Sequence, residues 1–189
     1  MSRRGVLKVV TSNEGKFREL QAEAKRFGIE LEWVNLPKFE IQSEDLGEIV
    51  RVSAQLAYSI IKEPLIAEDT GLFIEALKGF PGPYTNYARK TIGLEGVLKL
   101  MEGIKDRRAR FVTYLAYVDS EVTRVFRGEV EGEIAEEIRG DKGFGFDPIF
   151  VPKGETRTFA EMTVEEKNKY SHRAKAFAEF AKFYLTYRP

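Results

Sequence analysis

Leu7-Lys8-Val9-Val10-Thr11-Ser12-Asn13-Glu14-Gly15-Lys16-Phe17 is the stretch on which the fold turns. Leu7–Thr11 is rich in β-branched residues and ends in a polar run, which predicts a strand. From Lys16 the period changes. Phe17, Leu20, Ala24 and Phe27 recur near helical spacing over Lys16–Phe27, and Gly28 closes the segment. A strand that passes into a helix through a short polar loop is the opening unit of an α/β sheet.

The rest of the chain extends that unit. Leu31–Val34 reads as a second strand, Pro37–Gly47 as a polar loop, and Ile49–Ile61 as a helix with Val52, Leu56 and Ile60 on its apolar face. Leu65–Ala67 is a short apolar strand running into Glu68-Asp69-Thr70-Gly71. Gly79–Pro83 carries turn chemistry, and Tyr84–Met101 is helical with a break near Gly93. Arg110–Val118 and Val122–Val130 alternate on either side of Asp119-Ser120-Glu121 and predict a hairpin. Glu131–Gly145 reads as irregular. Thr163 with Glu166 forms a capping-box pattern, and Ser171 is placed to cap a final helix from His172 to Tyr187. Strands alternating with helices early, with a hairpin in the middle, predict a mixed α/β sheet. The whole chain, 1–189, is read as one domain with two lobes around a cleft.

Composition narrows the chemistry. The chain has 189 residues, 43% hydrophobic and 32% charged, within the range of a single globular domain. Its formal net charge is zero, so any bound anion must be held by a local set of donors and not by an overall field. That balance speaks against a broad grip on nucleic acid or an anionic membrane. There is no cysteine and one histidine, His172, which excludes disulfides, thiolate metal sites and imidazole clusters. A metal here should be a hard cation on carboxylates, Mg²⁺ or Mn²⁺. The first apolar run, Val6–Val10, is broken by Lys8 and is too short for a signal peptide or membrane span, so the default compartment is the cytoplasm.

Five segments could carry chemistry. The loop Thr11, Ser12, Asn13, Glu14, Gly15, Lys16 precedes a helix whose unpaired N–H groups suit phosphate, with Lys16 as a point charge. It is not a Walker A loop, and a helix cap followed by a surface lysine explains it equally well. Glu68 and Asp69 end a strand of an α/β sheet, where such sheets place ligands. A turn in which Asp69 bonds nearby backbone N–H groups is the competing account. Glu40, Glu44 and Asp45 offer a second metal ligand or simply a solvated acidic loop. Gly143-Phe144-Gly145-Phe146-Asp147-Pro148 presents rings for base stacking, or core fillers at a bend. Lastly, Lys167 and Ser171-His172-Arg173 place cations at a helix start, which the helix dipole disfavours unless an anion or carbonyl docks there.

The order of these segments resembles the inosine triphosphate pyrophosphatase family, the Ham1-like pyrophosphatases of non-standard purine nucleotides. The resemblance lies in Thr11–Lys16, Glu68–Leu72, Gly79–Tyr84, Phe144–Pro148, Ala160–Met162 and Glu166–Lys167 through Arg173, and spans nearly the whole chain. It implies hydrolysis of ITP, dITP and XTP to monophosphate and pyrophosphate with Mg²⁺, in a homodimer with an elongated α/β fold and a central nucleotide cleft. By position, it implies that Thr11–Lys16 hold the triphosphate, that Asp69 is base and metal ligand, and that Glu40 is the other ligand, with Glu44 as alternative. Thr70 would touch substrate, and Phe144, Gly145, Phe146 and Asp147 would position the base. Lys167, His172 and Arg173 would complete the nucleotide site. Arg173 and His172 as donors to O6 would disfavour adenine, whose amino group would leave them unpaired. Guanine shares O6, so its rejection needs a contact at position 2. The chain departs from the bacterial pattern at Val52–Tyr58, so no polar role passes to that helix, and Thr70 stands where Ser is more frequent.

Overall fold

A computed structural model describes residues 5–37 and 39–187. β1 (Leu7–Val10), β2 (Leu31–Val34) and β3 (Leu65–Ile74) are joined by α1 (Glu14–Arg26) and α2 (Leu46–Ile61). A two-residue strand β4 (Pro81–Gly82) and the helices α3 (Thr85–Thr91) and α4 (Gly93–Leu100) follow. The long hairpin is β5 (Arg108–Val118) and β6 (Thr123–Ile134), and then come β7 (Phe150–Pro152), α5 (Val164–Asn168) and α6 (His172–Thr186). Among the described residues this is one mixed sheet of seven strands, ordered β2-β1-β3-β5-β6-β7 with β4 on β3. β1 runs parallel to β2 and β3, and the other pairs are antiparallel.

Strand alternation builds the core on both faces. Ile66, Leu115 and Tyr117 point towards α1 and α6, packing on Leu20, Phe177 and Phe180. Leu65, Ala67, Ala116 and Val118 point the other way, onto Val50, Ala54 and Ala57 of α2. The far ends of β3, β5 and β6 carry a separate cluster with Val97, Met101, Phe150 and Phe159. Two lobes therefore share one set of long strands.

The structure departs from the sequence reading in three places. α2 buries Leu46, Ile49, Val50, Ala54 and Ala57, while Leu56 and Ile60 are exposed. Leu46, Ile49 and Val50 fill the buried face at the start of the helix, and the small Ala54 and Ala57 carry it on, which turns Leu56 and Ile60 outwards. β3 does not stop at Ala67 but runs to Ile74, paired with β5 throughout. β6 continues through Glu131–Ile134, where irregular chain was expected, because β7 gives it a further partner. Gly79–Tyr84 is the predicted turn, with Phe80 and Tyr84 exposed. No helix of the described residues is long and apolar enough to cross a membrane.

Candidate active site

β1 ends at Val10, opposite Ala67. The next residues of β3 therefore have β5 on one side and the Thr11–Lys16 loop on the other. Alternation sends Glu68 and Thr70 to the α1/α6 face and Asp69 to the α2 face. The ligand position of an open α/β sheet thus survives the longer strand, because the parallel pairing still stops there.

The loop is shaped by its own bonds. Asn13 N–H donates to Thr11 Oγ1 at 3.1 Å, and Asn13 Oδ1 caps α1 by accepting from Lys16 N–H at 3.0 Å. Gly15 leaves room for Phe144, since an added Cβ would lie 2.5 Å from that ring where it now rests. α6 is set with equal tightness. Ser171 Oγ accepts from Ala174 N–H at 3.1 Å. Opposite it, a Cβ on Gly128 would fall 2.1 Å from His172 O, so only glycine lets the first turn of α6 rest on β6.

A cavity of about 780 Å³ opens where these elements meet. Its wall contains most of the candidate residues: Thr11, Ser12, Asn13, Glu14, Gly15 and Lys16 from the loop, and Asp69 and Thr70 from β3. Glu40 comes from the loop before α2, Phe144, Gly145, Phe146 and Asp147 from the glycine-aromatic segment, and Lys167, His172 and Arg173 from α5 and α6. Of the acidic loop, Glu44 is not on this wall, and Asp45 caps α2 by accepting from Gly47 N–H at 2.8 Å. Residues not anticipated from the sequence also line it, among them Phe111, Asn86, Arg89 and Lys90.

Beneath the cavity runs an unbroken file of six alternating charges. Asp147 Oδ2 accepts from Lys167 Nζ at 2.6 Å, and Lys167 donates again to Glu19 Oε1 at 2.5 Å. The other Glu19 oxygen accepts from Arg173 Nη1. Arg173 Nε lies 3.4 Å from Glu68 Oε2, and Glu68 Oε1 lies 2.7 Å from Lys16 Nζ. Thr70 Oγ1 donates to Glu68 Oε2 at 2.9 Å and accepts from Arg173 Nη2 at 3.1 Å. Its hydrogen being used, the 2.5 Å contact with Thr113 on β5 has Thr113 as donor. The file sums to zero charge, and its inner members are almost wholly buried.

Isolated charges at this depth would be expensive, and only mutual pairing and hydrogen bonding offset the lost hydration. Burial pushes the Glu19 carboxyl up, but Lys167 and Arg173 outweigh it and hold the group below the usual range. Burial also dominates at Asp147; with Glu19 competing for the same ammonium, its carboxyl is held above the usual range. Burial opposes the charge of Arg173, but Glu68 and Glu19 keep it charged. His172 is neutral, because burial and then Arg173, Lys167, Lys16 and Lys175 drive its pKa well below 6.5. Its ring stacks on Phe111 with centroids 4.7 Å apart. Phe144 covers the file, with Lys167 Nζ 4.8 Å and Arg173 Cζ 5.4 Å from its ring centre.

The sequence reading missed Glu19, the link between Lys167 and Arg173. The resemblance also gave Lys167 a place in the nucleotide site, yet this side chain is 3% exposed and bonded to two carboxylates. Lys16, at 19%, reaches the cavity. Asp69 is half-buried, and its Oδ1 accepts from Thr70 N–H at 3.0 Å, the turn-like bond the competing account foresaw, here within a strand. No group of three carboxylates or histidines converges among the described residues. A divalent cation on Asp69 and Glu40 would therefore draw its remaining ligands from phosphate and water, a donor set that suits Mg²⁺.

A model described as the Ham1 family matches residues 7–183. The chain is 60% identical to the dITP/XTP pyrophosphatase of Saccharolobus solfataricus, over 99% of this chain and 98% of that one. It is 54% identical to the dITP/XTP pyrophosphatase of Ignicoccus hospitalis, over 92% and 93%. Among solved structures, a HAM1 protein from Coxiella burnetii superposes with a TM-score of 0.82 at 29% identity, covering 96% of this chain and all of that one. The Staphylococcus aureus Ham1 protein gives 0.78 at 28%, covering 94% and 98%.

Proposed function

The chain belongs to the Ham1 family, and from that premise we propose that it hydrolyses ITP, dITP and XTP to the nucleoside monophosphate and pyrophosphate, clearing these bases from the nucleotide pool. One observation carries the reading: candidate residues from segments scattered between Thr11 and Arg173 line a single cavity of a size usual for small-molecule sites.

The loop Thr11–Lys16 holds the triphosphate, with Lys16 drawn from Glu68 towards the phosphates. Asp69 takes a proton from the water that attacks the α-phosphorus. The new phosphorus–oxygen bond forms as the bond to the bridging oxygen breaks, and pyrophosphate leaves with that electron pair. Glu68 is a poorer base, because its carboxylate stays paired with Arg173 and accepts from the Thr70 hydroxyl. At the other end, Phe144 yields its place above Lys167 and Arg173 to the purine, and Arg173 and neutral His172 face O6. Asp69 and Glu40 would hold Mg²⁺, or Mn²⁺ in its place, which when bound neutralises phosphate charge and orients water. The working protein is a cytoplasmic homodimer on this reading.

The test is a nucleotide panel with Mg²⁺, scoring pyrophosphate and orthophosphate separately. Pyrophosphate should come from ITP, dITP and XTP, with little turnover of ATP or GTP and none in the presence of a chelator. Orthophosphate as the product, or equal turnover of all purines, would sink the reading.

A further inference from the structure

The cations that the sequence reading places in the nucleotide site are already neutralised. Lys16, Lys167 and Arg173 share their charges with Glu68, Glu19 and Asp147, and the file as a whole is neutral. The remaining carboxylates on the cavity wall add only negative charge. A triphosphate entering this space needs positive charge from elsewhere.

α3 supplies it. Arg89 and Lys90 line the same cavity, and neither has a carboxylate within 4.0 Å among the described residues. Arg89 is also tethered: its Nε donates to Gly145 O at 2.9 Å, which restrains the guanidinium, while Nη1 and Nη2 bond no described residue. A guanidinium held by one edge presents its outer pair of nitrogens in the fork that matches a phosphate. Resting on the nucleotide reading above, we propose that Arg89 is a substrate-binding residue that takes the phosphate chain between α3 and the Thr11–Lys16 loop.

The experiment uses the full chain with Arg89→Ala, Arg89→Lys and Arg89→Gln. Binding of inosine, IMP, ITP and inorganic tripolyphosphate is measured by calorimetry without divalent cations, and KM for ITP with Mg²⁺. Arg89→Ala should weaken tripolyphosphate and ITP about tenfold or more, the range of a charged hydrogen bond, and leave inosine unchanged. Arg89→Lys should recover most of that loss and Arg89→Gln little of it. Equal loss for inosine and ITP would reduce Arg89 to a tether of Gly145 and overturn the proposal, as would unchanged tripolyphosphate binding. Tripolyphosphate keeps the two readings separable: an inactive wild-type protein whose tripolyphosphate binding still depends on Arg89 loses the purine activity and keeps the phosphate site.

Discussion

The cavity floor and the cavity mouth are both densely charged, and they are charged in opposite ways. On the floor, Asp147, Lys167, Glu19, Arg173, Glu68 and Lys16 alternate within hydrogen-bonding or ion-pair distance, so each charge has its partner in place before substrate arrives. At the mouth, Asp69 and Glu40 share the cavity wall with the cations Arg89 and Lys90, and among the described residues neither cation is held in an ion pair. The floor is a finished electrostatic structure, while the mouth is arranged for something to enter. Buried ion pairs add little to stability when complete and remove much when broken, whereas groups at a mouth act on what binds there. Substitutions should therefore separate the two regions by the quantity they change.

The largest effect falls on the floor. Glu19→Ala leaves Lys167 and Arg173 buried with half their partners, and should lower unfolding free energy by roughly 3–5 kcal/mol, the usual result of removing one partner from a buried pair. Urea unfolding at neutral pH measures it. A loss below about 1 kcal/mol would mean that water reaches the file and that the floor is not closed. Next comes the mouth. Asp69→Asn should leave the unfolding midpoint nearly unchanged and reduce kcat for ITP about a hundredfold or more, as removal of a general base does. Retained turnover in a folded variant would take Asp69 out of the chemistry. Loss of stability instead would place it with the floor and erase the distinction.

The sequence made one region far more legible than the other. Lys16 closes a polar loop, the His172-Arg173 pair sits at a helix start, and Asp69 stands where the apolar run Leu65–Ala67 gives way to charge, and at each a charge that violates local preference stands out. The strand–loop–helix opening, the hairpin and both predicted caps followed from period and cap chemistry, and the structure has Thr163 and Ser171 in those roles. Glu19 gave no such signal. It lies one helical turn beyond Lys16 on α1, off the stripe of Phe17, Leu20 and Ala24, and reads as a solvated glutamate. It is buried because α1 packs on two things at once, the sheet through that stripe and α5 and α6 through its flank. A second packing surface formed by residues some 150 positions away leaves no periodic trace. Arg89 and Gly128 were missed for a related reason, although an isolated glycine inside the alternation of β6 was a usable sign of close backbone approach.

The smallest effect tests whether the floor is as closed as its distances imply. His172 is the only histidine of the chain, so its titration can be followed without interference. Its folded pKa is depressed by burial first and by Arg173, Lys167, Lys16 and Lys175 after that. A depressed pKa contributes stability that is full above the unfolded value near 6.5 and drains away as pH falls below it, because the unfolded chain takes a proton that the folded one refuses. Asp147 works in the opposite sense, since its raised carboxyl favours the folded state as protons are added, and the net slope in wild type mixes the two. Comparison with His172→Gln separates them. The variant loses the stacking on Phe111 at every pH, which moves its stability curve down without tilting it. Only the lost imidazole changes the slope, and between pH 6.5 and 5 the variant's stability should fall less steeply than wild type. The imidazole protons of the wild-type protein should show no titration near pH 6.5 by NMR. Ordinary titration there, or parallel slopes, would mean that solvent reaches the head of α6 and that the floor belongs with the mouth.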